Sequence, residues 1–201
     1  MENPQPDTEQ AIFEAALEVF GRKGRDGARM QEIADRAGIN KAMLHYYYRS
    51  KDRLYEAVFD YAFARYCAAV SDSVPADEPI PVTIERFVSR YTAFLSVEPE
   101  VMRLFVQENL SGGRSLAAHI QKSRDGDGPP LLPLALKERL ASDEGPGHVF
   151  LSLLSACVFP FVIEPTVFAM FPAAAEDPER FHSDRARTLT QLVLSGMEGT
   201  S

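Results

Sequence analysis

Lys41, His45, Tyr46, Tyr47, Arg49 and Lys51 crowd into one short stretch, KAMLHYYYRSK. Cationic heads neutralise phosphates, phenol hydroxyls donate to phosphate oxygens, and Lys can reach the acceptor edge of a base. Consecutive helix residues point about 100° apart, so the run from His45 to Tyr48 cannot face a single core. Some of these rings must face something else. No comparable chemistry of another kind stands out. Cys67 and Cys157 are isolated, with no CxxC and no His at ligand spacing, and read as buried thiols in a reducing compartment. The 4 histidines are scattered, so neither a metal nor a cofactor is expected. GxSxG, HExxH, GxxxxGK[ST] and GxGxxG do not occur, and the GDG of Gly126–Gly128 is a turn signal with no strand before it. The expectation is a protein that is not an enzyme.

Charge supports a polyanion partner for one end of the chain. The formal net charge of the 201 residues is −8. Yet Gly21–Tyr55 holds nine Lys or Arg (Arg22, Lys23, Arg25, Arg29, Arg36, Lys41, Arg49, Lys51, Arg53) against four acids (Asp26, Glu32, Asp35, Asp52). From Ser71 to Ser201 the balance reverses, with eleven basic residues and eighteen acidic ones. A basic patch joined to an acidic body predicts that one end meets nucleic acid and the other does not.

The elements that must position the basic patch are helical. Ile12, Ala15, Ala16, Val19 and Phe20 predict a helix over about Thr8–Lys23, with Asp7 and Gln10 placed as a capping box and Gly24 and Gly27 closing it. Met30–Ala37 carries Ile33, Ala34 and Ala37 on one face and ends at Gly38, where a C-terminal glycine cap belongs. Asn40 is placed to cap a third helix, Lys41–Tyr48, and Ser50 a fourth that runs to about Val70. Ser73–Pro81 (SVPADEPIP) cannot continue a helix and marks a boundary. Beyond it, helices are expected near Val82–Val97, Glu100–Leu110, Ser115–Arg124, Leu131–Ala141, Gly147–Ile163 and Pro178–Met197, with no strand. The apolar run Val149–Met170 is interrupted by Ser152, Ser155, Pro160, Glu164 and Pro165, which argues against a membrane span. MENPQPDTEQ shows neither the basic nor the apolar part of a signal peptide, so a cytoplasmic protein is expected.

Two short helices joined by a glycine turn, the second capped by Asn, form a helix-turn-helix candidate. Ile33, Ala34, Ile39 and Leu44 can pack together against Phe20 and Val58. That leaves Lys41, Ala42, Met43, His45 and Tyr46 on the outer face and N-terminal end of the second helix, from which base edges in a major groove are reached. Tyr48, four residues after Leu44, shares the inner face. Tyr46 and Tyr47 lie at other angles and suit phosphate, with Lys51 adding charge to the same backbone. Taken alone, a run of His and three Tyr also fits a packed aromatic cluster.

MQEIADRAGINKAMLHYYYRSKDRLYEAVF resembles the N-terminal signature of the TetR/AcrR family of bacterial helix-turn-helix transcriptional regulators. Ile33-Ala34, Ala37-Gly38, Leu44 followed by His45 to Tyr48, Ser50-Lys51 and Leu54 carry the likeness, which runs from about Thr8 to Tyr66. The resemblance implies base-reading positions at Gln31, Lys41, Ala42, Met43 and His45, and phosphate positions at Tyr46, Tyr47 and Lys51. Three departures bear on the operator sequence. Arg29 stands where the family usually has a capping Thr or Ser, and can reach phosphate only as a cation. His45 replaces the usual Tyr, and Arg49 a common Pro or Lys.

The resemblance also implies an all-α fold. Residues 1–55 would form a three-helix DNA-binding domain, a long fourth helix over 51–72 would link the domains, and residues 74–201 would form a helical bundle for effector binding and dimerisation. A homodimer on a palindromic operator in double-stranded DNA, released by a small apolar or amphipathic effector, is the implied mechanism, with no role at a membrane. Phe87, Tyr91, Phe94, Met102, Phe105, Phe150 and Phe159, with Glu108 and His119 among the polar groups, either line an effector pocket or form a plain core. Leu154, Val158, Phe161, Leu189, Leu192 and Val193 either form the dimer seam or fill the monomer.

Overall fold

Apolar spacing draws α1 (Pro6–Gly27) onto its neighbours: Ile12, Ala15, Ala16, Val19 and Phe20 are all buried. The chain is described here by a computed structural model covering residues 6–71, 78–128 and 146–198. The expected helix over Leu131–Ala141 and most of Ser73–Pro81 lie outside those residues. Gly24 interrupts α1 with φ +68° and ψ 173°, after which a last turn resumes through Gly27. That is why the helix outruns its expected end at Lys23: glycine adopts the left-handed region without a Cβ clash and the chain re-enters the helix.

There follow α2 (Met30–Arg36), α3 (Lys41–Tyr48) and α4 (Lys51–Ser71). Ile33, Ala34, Leu44, Leu54, Val58 and Phe59 are completely buried, and α2 packs on both α1 and α3. The bounds of α3 coincide with the expected ones, because its signals are local. Ser50 Oγ accepts the Arg53 N–H at 3.2 Å, which caps α4 as its position suggested.

Next come α5 (Ile80–Val97), α6 (Pro99–Leu110) and α7 (Arg114–Asp125). Packing divides the chain into two compact units: residues 1–66 with 100–128, and residues 67–99 with 129–201. The division cuts across the linear order expected from the Ser73–Pro81 boundary. Residues of α6 and α7 join the N-terminal helices because α4 reaches them with a stripe at four-residue spacing. Tyr55 donates its hydroxyl to Glu108 Oε2 at 2.6 Å, and the rings of Phe59 and Phe63 lie 5.4 and 6.4 Å from Phe105.

The second unit continues with α8 (Pro146–Val162), α9 (Glu164–Met170), α10 (Pro172–Glu176) and α11 (Pro178–Glu198). Within it α5 packs against α8 and α11. Phe87, Val88, Tyr91 and Leu95 form the buried face of α5. The short helices α9 and α10 were not expected. Pro165, which interrupts the apolar run in the sequence, and Pro172 sit in the first turn of each, where a missing N–H costs nothing. The chain bends by 76° between α8 and α9. No single helix among the described residues is long and apolar enough to cross a membrane. Cys67 and Cys157 are free and buried, and burial pushes their thiols up to about 11 and about 12.

Candidate nucleic-acid interface

The turn between α2 and α3 is built from backbone. The Ala37 N–H donates to Ile33 O at 2.9 Å and the Ile39 N–H to Ala34 O at 3.0 Å. Gly38 between them has φ +68°, which closes the helix and reverses the chain. Ile39 is half-buried beneath the turn. Asn40 is extended at φ −80° and ψ 153°, and its Oδ1 accepts the Met43 N–H at 2.7 Å. This cap fixes the first turn of α3, so the direction of Lys41 and Ala42 is set locally.

Leu44 is the buried residue of α3. Lys41, Ala42, His45 and Tyr46 are exposed, and Met43 and Tyr47 are half-buried. The Tyr46 ring is 52% exposed, unusual for so large an apolar surface, and meets Tyr47 edge to face at 5.4 Å. Tyr48 turns inward as expected, but only halfway. Its ring lies 6.1 Å from Phe13, its hydroxyl faces Glu9 Oε1 at 3.5 Å, and burial, reinforced by Glu9, pushes it up to about 12. Arg49 closes the helix at φ +58°, its N–H donating to His45 O at 2.9 Å. The aromatic run is thus split by direction, with one ring held against α1 and two presented outward.

The basic patch is also split. Arg22 and Arg36 both pair with Glu18, at 3.2 and 2.5 Å. Lys23 pairs with Glu32 at 2.7 Å, and this bond chiefly lowers the Glu32 carboxyl below its usual value. Arg25 pairs with Asp52 at 3.0 Å, which raises its own pKa. Arg29, Lys41, Arg49 and Arg53 are exposed and make no ion pair among the described residues. Arg53 was not singled out in the sequence, and Arg49 only as a flanking cation and a departure from the family pattern, because nothing in a sequence distinguishes a paired cation from an unpaired one. Gln31 is exposed, with its Nε2 donating to Asp35 Oδ1 at 2.7 Å. Arg29 precedes α2 in extended conformation and makes no side-chain cap. Lys51 is half-buried, and its Nζ donates to Asp26 O at 3.0 Å and Ala28 O at 3.3 Å.

The nine residues expected around an effector are drawn from both units. Phe87, Tyr91 and Phe94 belong to the second unit, where Phe87 and Tyr91 stack at 5.5 Å. Met102, Phe105, Glu108 and His119 belong to the first. The Phe150 side chain lies outside the described residues. Phe159 is 59% exposed, at odds with a place lining an interior, because it projects from the outer side of α8. Glu108 is buried with both oxygens engaged, Oε2 by the Tyr55 hydroxyl and Oε1 by the Ser115 N–H at 2.6 Å. His119 is likewise engaged at both ring nitrogens, Nδ1 with Ser115 O at 2.7 Å and Nε2 with Asp60 Oδ1 at 2.6 Å. Of the residues expected at a seam, Leu192 is 67% exposed, while Leu154, Val158, Phe161, Leu189 and Val193 are half-buried.

Comparison with known proteins accords with this geometry. The family described as "Bacterial regulatory proteins, tetR family" matches residues 12–58, the span from the middle of α1 into α4. The HTH-type transcriptional repressor SCO4008 of Streptomyces coelicolor is 33% identical over 112 residues, which are 56% of this chain and 55% of that repressor's length. The HTH-type transcriptional regulator RutR of Escherichia coli K12 is 25% identical over 191 residues, covering 94% of this chain and 89% of the regulator. A TetR-like transcriptional regulator from Rhodococcus sp. RHA1 has the same fold, with a TM-score of 0.69 over 98% of this chain and all of that one, at 23% identity. The exposed, capped α3 behind a glycine turn lies inside the family match: residues 12–58 form a tetR-family helix-turn-helix domain, and the chain is a TetR-like DNA-binding transcriptional regulator.

Proposed function

We propose that the chain acts in the cytoplasm as a repressor, binding a palindromic operator as a homodimer and leaving it when a small apolar or amphipathic effector binds. In this reading residues 1–55 hold the DNA-reading helices, the fourth helix over 51–72 links them to the rest, and helices beyond 74 take the effector and the second copy. Gln31, Lys41, Ala42, Met43 and His45 read base edges, while Arg29, Tyr46, Tyr47 and Lys51 hold phosphates. The observation that carries it is the division of α3, where Leu44 is sealed in the core while Lys41, Ala42, His45 and Tyr46 stand in solvent. A single α3 spans only a few base pairs, so two related by a dyad, about 34–36 Å apart or a multiple of that, give useful affinity. Exposed Leu151 and Phe159 on α8 and Leu192 on α11 support a second copy covering that apolar surface. The name of the SCO4008 repressor supports repression. An effector that prefers the non-binding conformer needs a coupling of only about 1–3 kcal/mol to change operator affinity by roughly 5–150-fold. Selection of bound sequences from a random DNA pool tests the reading. An enriched palindrome is expected; an enriched site without two-fold symmetry, or no enrichment, would overturn it.

A further inference from the structure

Gln31 and Asp35 stand four residues apart on α2, and residues at that spacing share a face of a helix. Buried Ile33 and Ala34 fix the rotation of α2, which leaves both side chains in solvent. The Gln31 Nε2 donates to Asp35 Oδ1 at 2.7 Å. A carboxylate accepts and does not donate, so the nitrogen end of the amide is the end turned to Asp35. An amide has two N–H donors and one acceptor oxygen. Asp35 takes one donor, and one N–H and Oε1 remain for another partner.

Asp35 has little other reason to be there. No cation pairs with it among the described residues, although Lys23 and Arg36 pair with Glu32 and Glu18. It sits in the last turn of α2, where the helix dipole disfavours an acid. It lines the same open concavity as Arg29 and Gln31, so it brings a negative charge to the side assigned to a polyanion. The carboxylate works against both the helix and the duplex, and its side-chain partner is the Gln31 amide.

We infer that Asp35 is a positioning residue that sets which base Gln31 reads: by holding one N–H it restricts the amide to one donor and one acceptor, the complement of adenine. The inference rests on the reading of Gln31 as a base-contacting side chain. In the major groove adenine shows the N6 donor beside the N7 acceptor, while guanine shows two acceptors, N7 and O6. An unrestrained glutamine turns freely and can give both hydrogens to guanine. With one N–H held, that option is closed, and Oε1 is left to accept from adenine N6. Each half-site is therefore expected to carry an A·T pair where Gln31 reaches it, with G·C excluded there through Asp35.

The full-length protein would select its sequence from a random duplex pool. The same selection with Gln31→Ala locates the base pair that Gln31 reads, as the position whose preference is lost. An A·T pair is expected there. Affinities for the selected duplex, and for one with G·C at that position, are then measured for the parent, Asp35→Ala, Asp35→Asn, Gln31→Ala and the double variant of Gln31→Ala with Asp35→Ala. Removing a negative charge strengthens binding to both duplexes alike, so it cancels in the ratio of the two affinities. The parent ratio should be roughly 5–150-fold, the discrimination of a bidentate pair. Asp35→Ala should lower it several-fold, and Asp35→Asn, which keeps an accepting oxygen, should lower it less. In the Gln31→Ala background, loss of Asp35 should leave the ratio unchanged. A G·C pair or no preference at that position, an unchanged ratio in Asp35→Ala, or an equal fall with and without Gln31 would each overturn the inference. A parent that selects no sequence would remove the DNA reading itself, and a Gln31→Ala pool identical to the parent's would remove Gln31 from it. Both end the inference, and both differ from a ratio that Asp35 fails to move.

Discussion

Lys41 and Tyr47 ride on the same short helix, and their chemistry separates them. The Lys41 ammonium is exposed at the first position of α3 with no ion pair to hold it back. Set against the acceptor edge of a guanine, it reads sequence. Lys41→Ala should therefore alter the sequence preference recovered from a random pool, and equal losses on all sequences would remove Lys41 from the base-reading set. Tyr47 offers a hydroxyl from a half-buried ring. Tyr47→Phe removes one hydrogen bond and should weaken binding several-fold on every duplex, as gel-shift titration would record. The motif residues themselves were legible in the sequence, since caps, turn glycine and aromatic run all lie in one short stretch, Gly38 to Ser50. The sorting of cations was not. Arg36 is paired by Glu18 across 18 residues and Arg25 by Asp52 across 27, and such partners become visible only when the helices pack.

At the scale of elements, α3 depends on its first turn. Asn40 supplies the side-chain acceptor for the orphan N–H of Met43, so Asn40→Ala should lower stability by about 1 kcal/mol. A urea midpoint unchanged from the parent would show that the cap contributes nothing. The bounds of α3 could be read because Gly38 and Asn40 act on their immediate neighbours. The short helices α9 and α10 could not, because a proline that ends one helix also starts another, and only packing decides which. Nor could the grouping of α6 and α7 with the N-terminal helices. It follows from Tyr55 meeting Glu108 across 53 residues, a pairing that no periodicity announces.

At the scale of the whole molecule, one buried titratable ring ties stability to pH. His182 on α11 is 4% exposed and stacks on Phe161 at 4.0 Å. Its Nδ1 has no partner among the described residues, and Nε2 lies 3.4 Å from Glu164 Oε1. Glu164 itself is only half-buried, at the start of α9. Burial holds the His182 pKa below its ordinary value, with Glu164 opposing the shift and the Arg185 charge adding to it. Between that depressed value and the unfolded value near 6.5, the unfolded chain binds more protons than the folded one. Stability from this group is therefore complete above about pH 6.5 and falls as the pH drops through the window. His182→Phe keeps a flat ring against Phe161 and should flatten that part of the thermal-midpoint profile between about pH 7.5 and 5.5. An undiminished slope would assign the dependence to other groups.

The fully engaged polar groups beneath α4 carry a consequence of their own. Glu108 is 6% exposed, so a guest molecule that seeks its carboxylate competes for room with the Tyr55 phenol or the Ser115 amide, and one that seeks the His119 imidazole competes with Ser115 O or Asp60. Tyr55 and Asp60 both belong to the helix that begins at Lys51. Occupancy of either group by way of those two side chains and release of that helix would be a single competitive exchange, with no vacant seat to fill first.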